Sequence, residues 1–135
     1  MSTHLAVVDT HALIWYAQKK WKRLGKQARR VLENADRGLA ALYVPTVAIV
    51  EILEAARSGA LELAGGARAW VSGLVATGSF FPVELTVEIV LRAEELYAIP
   101  ERTDRLIAAT AVHLDCPLLT RDPEIGRHPE VTVIW

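Results

Sequence analysis

The chain has 135 residues, of which 52% are hydrophobic, so we expect one domain over residues 1–135 that folds without disulfide staples. Cys116 is the only cysteine, which excludes an internal disulfide, and the net charge of −1 excludes a uniformly polycationic protein. No apolar run approaches the ~20 residues of a membrane-spanning helix, and the N-terminal segment lacks the basic region of a signal peptide. We therefore expect a cytoplasmic protein with no membrane partner.

In the first half of the chain, strands and helices are predicted to alternate. The apolar run HLAVVD predicts a buried strand at about residues 4–8, followed by a helix over THALIWYAQ with Thr10 as its N-cap. After a basic segment, a second helix is predicted at about residues 26–37. ALYVP predicts the second strand, and TVAIVEILEAARSG predicts a helix with Thr46 as its N-cap and Gly59 as its stop.

The second half continues the same alternation. A helix is predicted at about residues 67–75, and SFFPV predicts a short strand whose Pro82 indicates an edge position. TVEIVLRAEELYAI predicts a helix that ends before Pro100, and RTDRLIAATAVHL predicts the next one. PLLT and VTVIW are the last strands. The alternation predicts a three-layer α/β/α fold with a central, mostly parallel sheet.

Two acidic residues follow predicted strands at the point where each strand ends. Asp9 comes directly after the first strand, and Asp122 follows PLLT after one intervening residue, Arg121. Ligands of parallel α/β sheets bind beyond the carboxyl ends of the strands, so both acids are candidate site residues. Each also has a purely structural interpretation, because Asp9 can cap the following helix and Asp122 can begin a turn before Pro123.

Two further acids are candidates because of their positions on helices. Glu51 lies about one turn inside the helix after the second strand, among apolar residues, and Glu54 is the alternative on roughly the same face. Asp104 lies in the first turn of the RTDRLIAATAVHL helix, where a carboxylate also favours the positive end of the helix dipole. Whether this helix begins at the same edge of the sheet depends on the preceding connection, which the sequence leaves open.

A grouping of these acids favours a metal site, because gathered carboxylates repel one another unless they bind a cation or are partly protonated. Oxygen ligands without a His or Cys cluster suit Mg²⁺ or Mn²⁺, and such an ion can activate water and neutralise charge on a phosphodiester. Residues 19–30 contain seven basic residues and no acid, among them Lys22, Arg23 and Lys26. This run is either a solvated face or a surface that holds the phosphates of a nucleic acid substrate.

Four stretches of the sequence resemble the PIN-domain ribonucleases, and most closely the bacterial and archaeal VapC-type toxins of toxin–antitoxin modules. The stretches are VVDTHALIWY, VPTVAIVEILEAARSGAL, PERTDRLIAATAVHLDCPLLTRDPEI and VTVIW. They follow one another in order along essentially the whole chain. The most specific part is DRLIAATA followed by LLTRD, and the DTHALIW opening is the next most specific.

The resemblance implies a PIN-like fold, RNA as substrate and an Mg²⁺- or Mn²⁺-dependent endoribonuclease activity. By position, it implies four catalytic, metal-binding acids, which are Asp9, Glu51, Asp104 and Asp122. The match of VEIL to the family pattern selects Glu51 over Glu54. Thr10 and Thr120 match positions where the family often has a hydroxyl, and we expect them to orient carboxylates or water. The resemblance also implies a cognate antitoxin and a homodimer.

Three other functions are alternatives to an endoribonuclease activity. A non-catalytic, RNA-binding PIN-like domain is the main alternative, although an inactive relative would not need all four acids. A phosphoacceptor domain requires an acidic pair at the end of the first strand and a lysine where this chain has Arg121. A phosphatase of the haloacid dehalogenase type requires a second aspartate at the position of His11.

The helices after the first two strands carry more apolar residues than one core-facing stripe requires. We expect part of this surface to close a twofold dimer and another part to receive an apolar segment of an antitoxin, which also places a basic side chain against the acidic pocket. The apolar residues concerned are Leu13, Ile14, Trp15, Tyr16, Ile49, Ile52 and Leu53.

Overall fold

The computed structural model describes residues 4–135, which are built around a parallel sheet of five strands in the order β3-β2-β1-β4-β5. The strands are β1 (Leu5–Val8), β2 (Ala41–Pro45), β3 (Phe80–Val83), β4 (Leu118–Leu119) and β5 (Val133–Ile134). The predicted α/β fold with a parallel sheet is confirmed. The strand that contains Pro82 lies at an edge, as predicted, because a proline cannot donate to a second neighbouring strand.

Helices connect the strands and cover both faces of the sheet. The helices are α1 (Thr10–Ala17), α2 (Lys26–Asp36), α3 (Thr46–Arg57), α4 (Ala67–Ala76), α5 (Val87–Glu94), α6 (Arg102–Leu114) and α7 (Pro123–Gly126), and a 3₁₀ turn lies at Trp21–Arg23. In the part of the chain from residue 4 onward, no helix is long and apolar enough to cross a membrane.

The core is divided into two layers by the central strand β1. Ala6 and Val8 pack with α1 and α2 on one face, whereas Val7 packs with α5 and α6 on the other. All three side chains are fully buried. This explains why the strand is a continuous apolar run, since successive side chains of a strand point to opposite faces and both faces are covered here.

Three local predictions differ from the structure. Asp9, and not Thr10, is the N-cap of α1, because its carboxylate accepts a hydrogen bond from the backbone N–H of Ala12 at 2.8 Å. Thr46 is the first residue of α3 and makes no side-chain cap; Pro45 precedes it. Helix α5 ends at Glu94, before the predicted boundary at Pro100.

The apolar residues of α1 and α3 lie mostly inside the chain. Leu13 and Ile52 are fully buried and Trp15 is 7% exposed, so the prediction that these side chains form an interface is wrong. These side chains instead belong to the hydrophobic core on the face of the sheet that α1 and α2 cover. The other members of the predicted surface are half-buried: Ile14, Tyr16, Ile49 and Leu53.

Candidate active site

The carboxyl ends of β1 and β4 define the crevice in which the site lies. From β1 the chain crosses to β2 on one side, while β4 lies on the other side, so the strand order reverses at this point. Such a switch point is where parallel α/β sheets bind ligands. Asp9 directly follows β1, and its backbone N–H bonds to the carbonyl oxygen of Leu119 at the end of β4 at 3.2 Å. Asp9 and Asp122 therefore lie at adjacent strand ends.

Helix α6 brings Asp104 to the same edge of the sheet. Asp104, Asp9 and Asp122 line one cavity of about 450 Å³. Only three residues separate the end of α6 from β4, which begins at the opposite edge of the parallel sheet. At 1.5 Å per residue, the 13 residues of α6 span ~20 Å, enough to cross the sheet and return its first turn to the carboxyl edge.

Helix N-termini hold three of these acids in place. Asp9 caps α1, and the Oδ1 of Asp122 accepts a hydrogen bond from the backbone N–H of Glu124 at 2.9 Å at the start of α7. Asp104 lies in the first turn of α6. The structural interpretation of each acid is therefore correct, and it is compatible with a site, because the same helix ends that favour a carboxylate converge on the crevice.

Glu51 lies on α3 and is connected to α1 by a hydrogen bond from Thr10. The buried hydroxyl of Thr10 donates to the Oε1 of Glu51, and Thr10 directly follows Asp9 in the chain. The charge of Glu51 also raises the pKa of Asp104, so these two carboxylates are close enough to interact. Glu54 is exposed and lines a different cavity. Glu51 is not among the residues that line the cavity of Asp9, Asp104 and Asp122, so the choice of Glu51 over Glu54 stays a prediction.

The hydroxyl of Thr120 links Asp9 to Asp122. Thr120 is fully buried, and its Oγ1 accepts a hydrogen bond from the backbone N–H of Asp122 at 3.2 Å. Its hydroxyl also lowers the pKa of Asp9, so it lies near that carboxylate. Both threonines therefore lie beside the candidate acids, and their supporting role stays a prediction.

Electrostatic repulsion between the acids is evident from their pKa values. Burial and then the charges of Glu101, Asp122, Glu51 and Asp9 raise the pKa of Asp104 to about 7. Burial also raises the pKa of Asp9, with Asp122 adding to the rise and the Thr120 hydroxyl opposing it. The four candidate acids therefore form one electrostatically coupled group, although they come from four separate segments.

Glu101 is a fifth acid at this end of the sheet that the sequence analysis missed. It is the N-cap of α6 and accepts hydrogen bonds from the backbone N–H groups of Thr103, at 3.1 Å, and Asp104, at 2.7 Å. Burial opposes ionisation, but these N–H groups lower its pKa overall. Its position immediately before a helical run was the signal available in the sequence. Glu101 stays charged and adds to the field at Asp104.

The raised pKa of Asp104 predicts a stability change with pH. The folded chain holds this proton more tightly than the unfolded chain, so ionisation destabilises the fold above pH ~7, and the penalty disappears as pH falls through 7 toward 4. In a chelator at pH 8, Asp104→Asn should melt roughly 3–6 °C above the wild type. This shift corresponds to about 1 kcal/mol of unfolding free energy, after allowance for solvent screening. At pH 4, near the ordinary pKa of an aspartate, the two should melt nearly together. An equal difference at pH 8 and pH 4 would contradict this.

Basic and aromatic side chains line the same cavity as the carboxylates. They belong to His11, Trp15, Arg23 and Arg121. Of the three basic residues proposed to hold substrate, only Arg23 belongs to this lining; Lys22 and Lys26 are exposed outside it. The sequence does not reveal the pairing of Arg121 with Trp15, because these residues lie far apart in the chain.

The donor chemistry of the four candidate acids fits a hard divalent cation. All four are carboxylates, and the pKa of Asp104 is raised first by burial and then by the charges of Glu101 and the other three acids. Between His4 and Trp135, no three His, Cys, Asp or Glu side chains are gathered closely enough to hold an ion as they stand. Like charges without a cation favour this separation, so binding would require Asp9, Glu51, Asp104 and Asp122 to draw together.

Comparison with known proteins decides the family. Residues 6–131 match the PIN domain family. The chain belongs to the PIN domain family. This PIN-domain chain is 27% identical to Ribonuclease VapC22 of Mycobacterium tuberculosis (strain ATCC 25618 / H37Rv), over 96% of the chain and 97% of that protein.

Solved structures share the fold of this PIN-domain chain. VapBC2 from Rickettsia felis, bound to a DNA fragment from its promoter, aligns with a TM-score of 0.71 at 12% identity over 96% of this chain and 97% of that chain. DNA-bound VapBC from Salmonella typhimurium aligns with a TM-score of 0.67 at 16% identity, over 98% of this chain and 97% of that chain. A toxin–antitoxin complex from Klebsiella pneumoniae aligns with a TM-score of 0.62 at 19% identity, over 96% of each chain. At these identities the likeness establishes the fold.

Proposed function

We propose that this PIN-domain protein is an Mg²⁺- or Mn²⁺-dependent endoribonuclease that acts as the toxin of a toxin–antitoxin system. The observation that carries the proposal is the coupling of four carboxylates from separate segments at the switch point of the sheet. The likeness to a protein named a ribonuclease, along nearly the full length of both chains, supports the reaction class. The alternative is a PIN-like domain that binds RNA without cleaving it.

In this proposal, the carboxylates hold the ion and the two threonines hold the carboxylates. The ligands are Asp9, Glu51, Asp104 and Asp122. A divalent ion bound there supplies Lewis-acid chemistry, which lowers the pKa of water and neutralises charge on the phosphodiester. Thr10 donates to Glu51, and Thr120 accepts from the backbone of Asp122 and lies near Asp9, so each threonine helps to fix the position of its acid.

The substrate and protein partners follow from the charge distribution and the relatives. We propose that Lys22, Arg23 and Lys26 contact RNA phosphates beside the cavity, because they are exposed within a segment, residues 19–30, that contains seven basic residues and no acid. The solved structures named above include toxin–antitoxin complexes, which supports a cognate antitoxin for this chain. An antitoxin arginine can pair with the carboxylates of the cavity. A homodimer is part of the same proposal.

The proposed function is tested with a purified chain and a labelled RNA. We expect cleavage in Mn²⁺ and its suppression by the small protein encoded in the adjacent reading frame, with light scattering reporting dimerisation and complex formation. Asp9→Asn, prepared in parallel, is the control for a contaminating nuclease. RNA binding without cleavage would favour the non-catalytic alternative, and cleavage that is unaffected by the adjacent gene product would contradict the toxin assignment.

A further inference from the structure

Two arginines of the cavity lie over one tryptophan ring. The Cζ of Arg121 lies 4.7 Å from the centroid of the Trp15 ring, and the Cζ of Arg23 lies 5.8 Å from it. Both arginines line the same cavity as Asp9, Asp104 and Asp122. The Trp15 ring therefore forms a common platform for two cations in the cavity of the candidate catalytic acids.

The platform is held by the core of the protein. Trp15 is 7% exposed, and the Trp135 ring contacts it edge-on at a centroid distance of 6.0 Å. The backbone around Arg121 is fixed on both sides, since the N–H of Thr120 bonds to the carbonyl of Ile134 at 3.3 Å and the N–H of Asp122 bonds to the Thr120 hydroxyl. Arg121 is thus an exposed side chain on a well-anchored main chain.

Neither guanidinium is paired with a carboxylate in the described part of the chain. The ion pairs among residues 4–135 involve Arg29, Arg92, Arg127 and His128. A stack on an aromatic face orients a guanidinium but leaves its N–H donors available, whereas a salt bridge would occupy them. The N–H donors of Arg23 and Arg121, which both line the cavity, are therefore available for the paired oxygens of a phosphate.

We propose that Arg121, oriented by Trp15 and assisted by Arg23, is the main phosphate-binding residue of the cavity. The proposal rests on the ribonuclease function and names the group that brings RNA to the site. An RNA phosphate that approaches Asp9, Asp104 and Asp122 is repelled by their charges, and two cations in the same cavity offset this repulsion. Arg121 binds substrate, and Trp15 is a positioning residue.

RNA binding in a chelator tests the proposal independently of catalysis. The variants are Arg121→Gln, Arg121→Lys and Trp15→Phe. The control is Arg92→Gln, because Arg92 is exposed on α5 and this substitution changes the net charge by the same amount as Arg121→Gln. We expect Arg121→Gln to weaken binding of a single-stranded RNA roughly 10-fold and to lower the slope of log affinity against log salt by about 0.7. Arg121→Lys should keep the slope but not the affinity, because lysine lacks the planar fork.

Steady-state cleavage in Mn²⁺ separates a binding role from a structural one. We expect Arg121→Gln and Trp15→Phe to raise KM while kcat stays nearly unchanged, and thermal melts should show that both variants are folded. If wild type binds and cleaves RNA but Arg121→Gln binds as tightly as Arg92→Gln, the phosphate assignment is wrong. If that variant instead loses only an acidic protein partner, the site is for protein and the proposal is overturned. A wild type that neither binds nor cleaves RNA would refute the ribonuclease function itself.

Discussion

Replacing Asp104 by asparagine is expected to slow RNA cleavage by at least ~10²-fold while the protein stays folded. Asparagine has nearly the same shape but lacks the charge that interacts with Glu51, Asp9 and Asp122. Asp104 makes no capping bond of its own; Glu101 caps α6. The substitution therefore removes a charged oxygen from the cavity with little effect on the helix. Single-turnover rates, with a melt of each variant, provide the measurement.

Helix α3 offers a matched pair of variants as a control for this result. Glu51 accepts the hydrogen bond from Thr10 and its charge acts on Asp104, whereas Glu54, one turn away on the same helix, is exposed and lines a different cavity. We expect Glu51→Gln to slow cleavage in the same way as Asp104→Asn and Glu54→Gln to leave the rate unchanged. Equal losses in the two α3 variants would indicate a general charge effect and would contradict the assignment of Glu51.

The sequence predicted the parts of the site that depend on strand ends. Asp9 and Asp122 each follow an apolar run, and the carboxyl ends of parallel strands share one edge, so their proximity follows from the α/β alternation. The alternation alone does not show at which edge of the sheet Asp104 lies. The short connection between α6 and β4 determines it. A helix that precedes a parallel strand by three residues ends at the amino edge and therefore begins at the carboxyl edge.

The arginines of the cavity could not be predicted from the sequence. Trp15 has the spacing of a core residue and is one, yet it also lines the cavity, and Arg121 lies over its ring. Contacts of this kind depend on the side-chain conformations of residues on different elements, and the periodicity of the sequence holds no information about them. The buried apolar residues of α1 and α3 illustrate the same limit, because periodicity does not reveal how many neighbours cover a helix.

Removal of divalent ions is expected to reduce cleavage at least ~10³-fold, which corresponds to the several kcal/mol of charge stabilisation that a metal ion supplies in such reactions. Without a cation, the carboxylates repel each other and the phosphodiester; their charges add to the effect of burial in raising the pKa of Asp104. Arg23 and Arg121, which line the same cavity, are unaffected by a chelator. RNA should therefore still bind when cleavage has stopped.

The most direct test of the central claim, that the four carboxylates hold a divalent ion for RNA cleavage, is a chelation and re-addition experiment under single-turnover conditions. Wild type is assayed in EDTA, then with excess Mn²⁺, beside Asp104→Asn purified in the same way. We expect no cleavage in EDTA, full recovery of the wild type with Mn²⁺, and recovery of the variant to no more than about a hundredth of that rate. Cleavage by wild type that persists in EDTA, or a variant that recovers fully, would contradict the claim.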